Sequence, residues 1–427
     1  MKIIIIGNGI AGSNAARFIR KFSDHEVTMI TGESDAPFSR TALMYIYMGH
    51  VRYQDTLLYE AGFWPKNRIQ CLKATVESVD TIGKKVQLRD GKTLLYDILI
   101  IATGSRSNKF GWKGEDLEGV SGLYHLQDLE YIQQRSSGMK RAVIVGGGLI
   151  GIELAEMFHS RHIPVTMLVR EKGFSDMILP PEESAMVGRH ILEHGIDLRL
   201  STELAEITDG GKGNVSGVIT NTGKRINCDF VGLSVGVSPN INFLNNSGIE
   251  TSKGVLVNDL LETNIKDVYA IGDCAELRQP RPGRRAIEAV WYTGRMMGQT
   301  VAHTICGKPV AYDPGTWFNS AKFFDIEYSV YGQINAKPDD TTTSIYWEHT
   351  GGKKSIRIAY EKATRVVTGF NLMGIRFRQE VCEKWIKERT PIDKVLAQLP
   401  MANFDPEFYE RFEAEFQRKG LNVIGNQ

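Results

Sequence analysis

The 427-residue sequence has few cysteines, no excess of either charge and no long apolar run, and each of these absences excludes something. Cys71, Cys228, Cys274, Cys306 and Cys382 are scattered, and none forms a C-x-x-C pair, so the sequence builds neither a local dithiol nor a cysteine zinc site. Lys plus Arg total 51 against 50 for Asp plus Glu, which leaves no global field to attract nucleic acid or acidic lipid. Partners must be recognised locally. The apolar start Ile3 to Ile6 is too short for a leader core, and no later run approaches the roughly 20 residues of a membrane span. A soluble, cytoplasmic chain with reduced, mostly structural thiols is expected. Its length exceeds what one hydrophobic core usually serves and predicts several domains of roughly 100 to 200 residues.

What is present is a repeated plan. Lys2 to Ile6, Tyr96 to Ile101 and Arg141 to Val145 are apolar on both faces, as buried parallel strands are. Ala74 to Asp80 and Lys85 to Leu88 alternate and carry the turn Asp90-Gly91, which predicts a half-exposed hairpin. A second hairpin pattern, Val215 to Thr220 and Arg225 to Asp229, holds the corresponding place in the second half and suggests an internal duplication. After about Pro314 the texture becomes aromatic-rich alternation, Lys322 to Tyr331, Ser344 to His349, Lys353 to Tyr360 and Arg365 to Leu372, followed by helical segments.

Two glycine loops carry the chemistry. Gly7-Asn8-Gly9-Ile10-Ala11-Gly12 is G-x-G-x-x-G between the first strand and a helix predicted over Ser13 to Phe22. Gly7 permits the tight turn, Gly9 lets backbone approach a pyrophosphate at the helix N-terminus, and Gly12 lets the helix pack on the strand. Glu33 follows the strand Val27 to Ile30, where a carboxylate accepts from ribose hydroxyls. Gly146-Gly147-Gly148-Leu149-Ile150-Gly151 repeats the spacing before a helix predicted over Ile152 to Ser160, so two dinucleotides are expected. The strand Val165 to Val169 ends in Arg170-Glu171: Arg170 suits a 2'-phosphate or is a solvated charge, and Glu171 suits NADH.

These loops, with three further ordered motifs, make the chain resemble the glutathione-reductase-like pyridine nucleotide oxidoreductases, flavoproteins with two dinucleotide-binding domains. Asp97 to Ser105 (DILIIATGS) resembles the family's crossover segment, Gly236 to Asn240 (GVSPN) its return crossover, and Thr263 to Asp273 (TNIKDVYAIGD) its second FAD motif. Pro37-Phe38-Ser39-Arg40 resembles the P-Y-x-R signature of the ferredoxin-reductase, rubredoxin-reductase and nitrite-reductase-like branch, as does Trp291 followed by Gly298. The resemblance implies an α/β fold with two Rossmann-like domains, for FAD and NAD(P)H, plus a C-terminal α+β domain. It places a discontinuous FAD domain at 1–108 and 236–312, the NAD(P)H domain at 109–235 and an interface domain at 313–427, in a possible homodimer. It also implies roles. Asp273, with Gly272 beside it, would bond the FAD ribityl chain, the Val76 backbone would contact adenine, and Ala102, Thr103, Gly104 and Ser105 would pass beside the cofactor. Arg40 and Trp291 would lie near FAD, and Gly236 would join the NAD(P)H site.

The sequence departs from that branch at one point. Where the branch commonly carries a lysine near the flavin, the register from Arg40 puts Tyr45, and Glu153, which matches the lysine's glutamate partner, has no evident cation opposite it. An unpaired buried carboxylate is costly, so Glu153 is expected to be protonated or to accept a hydrogen bond from the Tyr45 hydroxyl, while Tyr45 as simple packing stays open.

The expected reaction is hydride transfer from NAD(P)H to FAD, with the protein supplying orientation and electrostatics. Thr41 to Gly49 contains no cysteine, and Cys274 in a Gly-Asp-Cys-Ala turn suits packing, so disulfide reduction is not expected. Electrons would leave for a ferredoxin- or rubredoxin-type carrier. The basic loop Arg278 to Arg285 either docks an acidic carrier or is solvated. Phe404, Phe408, Phe412 and Phe416, with Tyr409 alongside, share one face of a predicted terminal helix that packs in a core or subunit contact, or anchors a peripheral quinone reductase. The other open reading is an NADH-sensing interaction module resembling the apoptosis-inducing-factor-like proteins.

Overall fold

A computed structural model describes residues 1–60, 62–337, 339–405, 407 and 410–425. The chain forms two compact units: 1–111, 120–139 and 235–314 make the first, and 112–119, 140–234 and 315–427 the second.

The first unit is built on a five-stranded parallel sheet in the order Val268–Ala270, Ile98–Ile101, Lys2–Ile6, Glu26–Thr31 and Ile69–Lys73. The isoleucine-rich central strands are buried on both faces, which is why their sequences do not alternate. Helices Ile10–Phe22 and Trp291–Ile305 pack on each other, and a Cβ at Gly298 would stand 2.5 Å from the Ala11 carbonyl oxygen, so only glycine allows this approach. The predicted hairpin gains a third strand, Thr93–Leu95. The two crossover segments pair with each other, Ser105–Ser107 antiparallel to Val237–Pro239.

The second unit repeats the plan. A parallel sheet holds, in order, Asp197–Arg199, Val165–Leu168, Ala142–Val145 and Phe230–Leu233, and beside it lies the antiparallel set Leu204–Asp209, Val215–Thr220 and Arg225–Asn227. A five-stranded antiparallel sheet follows, ordered Phe318–Phe323, Ile326–Gly332, Val367–Met373, Ser355–Glu361 and Thr342–Glu348, with helices Gln379–Lys387, Ile392–Gln398 and Glu413–Gly425.

Three expectations change. The stretch Lys322 to Tyr331 is two strands, because Phe324 takes φ 54° and reverses the chain in the absence of glycine, asparagine or proline. The terminal helix starts only at Glu413. Phe404 lies outside it and is exposed, Phe412 and Phe416 are buried, and Phe408 and Tyr409 lie outside the described residues. Grouping in space also departs from the linear division, since 120–139 joins the first unit and 315–427 shares a unit with 140–234.

Candidate functional site

In the first unit, the glycine loop is shaped by two contacts and one gap. A Cβ at Gly7 would stand 2.1 Å from the Ala102 carbonyl oxygen, and one at Gly12 would stand 2.1 Å from that of Gly7. A Cβ at Gly9 would meet nothing within 4 Å, and Gly9 has an ordinary φ of −64°. The protein itself therefore gives Gly9 no reason to be glycine; a ligand drawn against the backbone does. The helix begun there, which includes Ile10 and Ala11, has no side-chain cap and no acid in its first turn, so its N–H groups and its positive dipole end suit an anion. These residues fit an FAD pyrophosphate.

Glu33 and Arg40 form a two-bonded ion pair, Nη1 to Oε1 at 2.8 Å and Nη2 to Oε2 at 2.5 Å. Glu33 Oε1 also accepts from the Leu126 N–H at 2.8 Å. Burial opposes ionisation of Glu33, but hydrogen bonds from His125 and Arg40, the Arg40 charge and the Leu126 N–H outweigh it and hold the carboxyl at about 2. Arg40 and the Leu126 N–H take three of the roughly four acceptor positions of this carboxylate and His125 faces Oε2, so it anchors Arg40 and the start of helix Leu126–Arg135.

Tyr124 joins the motifs, and sequence reasoning missed it. Its hydroxyl donates to Asp273 Oδ2 at 3.0 Å and accepts from the Ser105 N–H at 2.9 Å, while the Arg40 guanidinium lies over its ring, 4.7 Å from the centroid, and donates to its backbone carbonyl. Ser105 Oγ donates to Asp273 as well, at 3.3 Å. Burial nevertheless pushes the Asp273 carboxyl above its ordinary range, against the Tyr124 and Ser105 hydrogen bonds and the Arg40 charge. A single tyrosine in Gly-Leu-Tyr-His carries no motif, so no sequence signal marked it. Thr103 Oγ1 donates to the Asn240 carbonyl at 2.7 Å, and a Cβ at Gly104 would stand 2.9 Å from the Tyr124 hydroxyl. At Gly272, which has φ 72°, an added Cβ would stand 2.9 Å from the Ala11 methyl, so the second FAD motif lies directly on the first helix.

The remaining first-unit candidates are dispersed. Val76 starts a strand opposite Leu88 and is half-buried. Trp291 begins its helix and, with Ile10, Asn14, Tyr59 and Arg295, lines a cavity of about 180 Å3. Tyr45 is half-buried in the short helix Leu43–Tyr47, its ring 6.1 Å from that of His50. Gly236 has φ 88° and accepts from the Asn108 N–H at 3.1 Å, so it belongs to the paired crossover segments.

The second unit holds the second cradle. A Cβ at Gly146 would stand 2.4 Å from the Ser234 carbonyl oxygen and one at Gly151 would stand 2.6 Å from that of Gly146, whereas one at Gly148 would again meet nothing within 4 Å. Leu149 and Ile150 open the uncapped helix Leu149–Ser160, which also lacks an acid in its first turn. Arg170 and Glu171 pair at 2.9 Å; Arg170 is exposed and Glu171 much less so. Glu153, on the same helix, has its carboxyl pushed up to about 7 by burial first and by Glu156 second, with Lys322 pulling the other way. Lys322 is thus the cation that acts on Glu153. It sits in the antiparallel sheet, where Lys322 Nζ lies 2.5 Å from Glu156 Oε1.

All five cysteines are free thiols. Burial raises each of them, Cys71 to about 11 and Cys228 to about 12, with Cys274, Cys306 and Cys382 shifted the same way. Cys274 donates to the Ile271 and Ile101 carbonyls at 3.3 and 3.4 Å and has no exposed surface, as a packing residue would. No helix among the described residues is long and apolar enough to cross a membrane.

The chain is 29% identical over 322 residues to a rubredoxin-NAD(+) reductase of Ectopseudomonas oleovorans, covering 74% of this chain and 83% of that protein. It is 30% identical over 329 residues to rhodocoxin reductase of Rhodococcus erythropolis, covering 76% of each. In fold it matches an NAD-dependent persulfide reductase from A. fulgidus at a TM-score of 0.87, with 23% identity, over 100% of this chain and 84% of that one. Residues 1–302 match the family described as pyridine nucleotide-disulphide oxidoreductase, and the chain belongs to that family, as an FAD-dependent oxidoreductase with a pyridine nucleotide as co-substrate.

Proposed function

We propose that this protein passes electrons from NADH through FAD to a small one-electron carrier protein of the rubredoxin or ferredoxin type, without a dithiol step. The observation that carries the proposal is the state of the thiols: all five are raised by burial, so none is poised as a thiolate to receive electrons from flavin. Rubredoxin-NAD(+) reductase and rhodocoxin reductase among the relatives support the carrier.

Bound FAD supplies hydride acceptance and one-electron release. The chain supplies binding and orientation. The loop at Gly9 and the helix start behind it hold the pyrophosphate, Asp273 with Ser105 and Tyr124 offers a fixed polar group to the ribityl chain, and Arg40 is held in place by Glu33. The loop at Gly148 holds the NADH pyrophosphate, and Glu171 accepts from its adenosine ribose. Glu153 and Tyr45 remain the candidates for tuning flavin reduction. The carrier approaches Arg281 and Arg285, which are exposed; Arg278 is paired with Glu250, and Arg284 is paired with Glu288 at 2.6 Å.

Anaerobic stopped-flow reduction of the flavin by NADH, followed by mixing with oxidised rubredoxin, a [2Fe-2S] ferredoxin, a soluble quinone, oxygen or an aromatic disulfide, tests the assignment. Reoxidation fastest with a carrier protein is expected. Faster discharge by the disulfide or by quinone would overturn it.

A further inference from the structure

We propose that His190, His194 and Asp325, all in the second unit, form a binding site for one divalent transition-metal ion, with zinc as the fitting ion. His190 lies in helix Pro181–Glu193 and His194 is its C-cap, so the two rings, four residues apart, face the same way, with centroids 4.4 Å apart. Asp325 comes from the turn that Phe324 forces between strands Phe318–Phe323 and Ile326–Gly332. One nitrogen of each histidine and one oxygen of Asp325 lie within 4.8 Å of one another.

The hydrogen bonds decide which atoms are available. His194 Nδ1 is 2.9 Å from the His190 carbonyl, which can only accept, so Nδ1 carries the proton. In the neutral imidazole its Nε2, 3.5 Å from Asp325 Oδ1, is then the lone-pair nitrogen, and a cation between the two satisfies both. His190 follows the same pattern: Nδ1 faces Glu193 Oε2 at 3.4 Å, and Nε2 lies 2.5 Å from the same Asp325 oxygen. An outer acceptor on each ring, orienting the inner nitrogen, is the usual second layer of a metal site. Lys353 takes the other Asp325 oxygen at 3.1 Å and leaves Oδ1 as a single donor.

Two imidazoles and a carboxylate suit zinc, with a water as fourth ligand. Tetrahedral zinc with bonds near 2.0 Å spaces its ligand atoms about 3.3 Å apart. The 3.5 Å from His194 to Asp325 fits as it stands, the exposed Asp325 carboxylate must move from His190 by less than about 1 Å, and the two ring nitrogens, within 4.8 Å of each other, must settle to the same spacing. The His190 ring is buried, and Phe324 stacks on His194 at 4.2 Å, so one side of the site is dry while Asp325 leaves a path for the ion. A metal there would tie the helix behind the nucleotide-binding sheet to the antiparallel sheet of the same unit, a structural role.

Zinc uptake by the full chain with FAD bound, stripped with EDTA and dialysed against Zn2+ alone, tests this. One zinc per chain is expected, with the apparent Tm raised by about 5 °C at a hundredfold excess over Kd. Both should be lost in His194→Ala and in Asp325→Asn, with flavin reduction by NADH unchanged. No zinc retained, or the same stoichiometry and Tm shift in both variants, would overturn the site and leave a His190–Asp325 ion pair in its place. Should either variant fail to fold, Co2+ in the wild-type chain decides: intense tetrahedral d–d bands support the site, and the weak spectrum of octahedral cobalt refutes it.

Discussion

Glu33 and Glu153 are carboxylates that their surroundings drive in opposite directions. Glu33 is held at about 2, so its ionised form, bonded by His125, Arg40 and the Leu126 N–H together, stabilises the native chain above the ordinary carboxylate range near 4.5 and loses that contribution as pH falls toward 2. The size is about 3 kcal/mol. Glu33→Gln should cost roughly that much at pH 7 and much less at pH 3, read from urea midpoints, and should release FAD more readily. Glu153 runs the other way: at about 7, its neutral form is the favoured one, and the native chain pays increasingly for its charge as pH rises from about 4.5 through 7. Glu153→Gln should therefore be about 2–3 kcal/mol more stable than wild type at pH 8 and little changed at pH 4.5. If Glu153 tunes flavin reduction, the same variant should flatten the dependence of the NADH rate constant on pH near 7. Burial and then Glu156 raise the Glu153 carboxyl, and Lys322 lowers it.

At the scale of the element, the glycine loops separate folding from binding. Gly12→Ala puts a methyl carbon 2.1 Å from a backbone oxygen and should distort the loop and lower Tm, whereas Gly9→Ala enters open space and should leave the Tm of the apoprotein unchanged while weakening FAD binding tenfold or more. Titration of apoprotein with FAD, beside calorimetry, distinguishes the two. These loops were legible because their logic is local: strand, turn and helix lie within a dozen residues. The hairpin at Phe324 was not legible, since its positive φ is imposed by strand pairing on either side and a lone Asp325, with no glycine, asparagine or proline beside it, is a weak turn signal. The terminal aromatic spacing misled for a related reason. A period of four describes one face of a helix, but Pro406 disfavours helix at Asp405, and among the described residues of the set Phe412 and Phe416 enter the antiparallel-sheet core while Phe404 is exposed.

For the whole molecule, near-neutral net charge means that any carrier must be steered by a local patch. Arg281→Glu combined with Arg285→Glu should raise KM for an acidic carrier several-fold and weaken its dependence on salt, with NADH-to-ferricyanide turnover unchanged. Steady-state kinetics at low and high ionic strength check this. Unchanged KM would mean that the loop is merely solvated.

The sequence by itself determined the family plan, two phosphate cradles in order with crossover segments between them, because each motif is a short-range solution to holding a pyrophosphate against backbone. It also determined that no paired cysteines stand near Arg40. Only the tertiary structure decided which distant groups meet. Tyr124 reaches Asp273 across 149 residues and His190 reaches Asp325 across 135, and neither spacing has a period or a motif that sequence could register. Pairings of that kind follow from which strands lie side by side and which helix covers them, and they set the charge state of the carboxylates on which the chemistry rests.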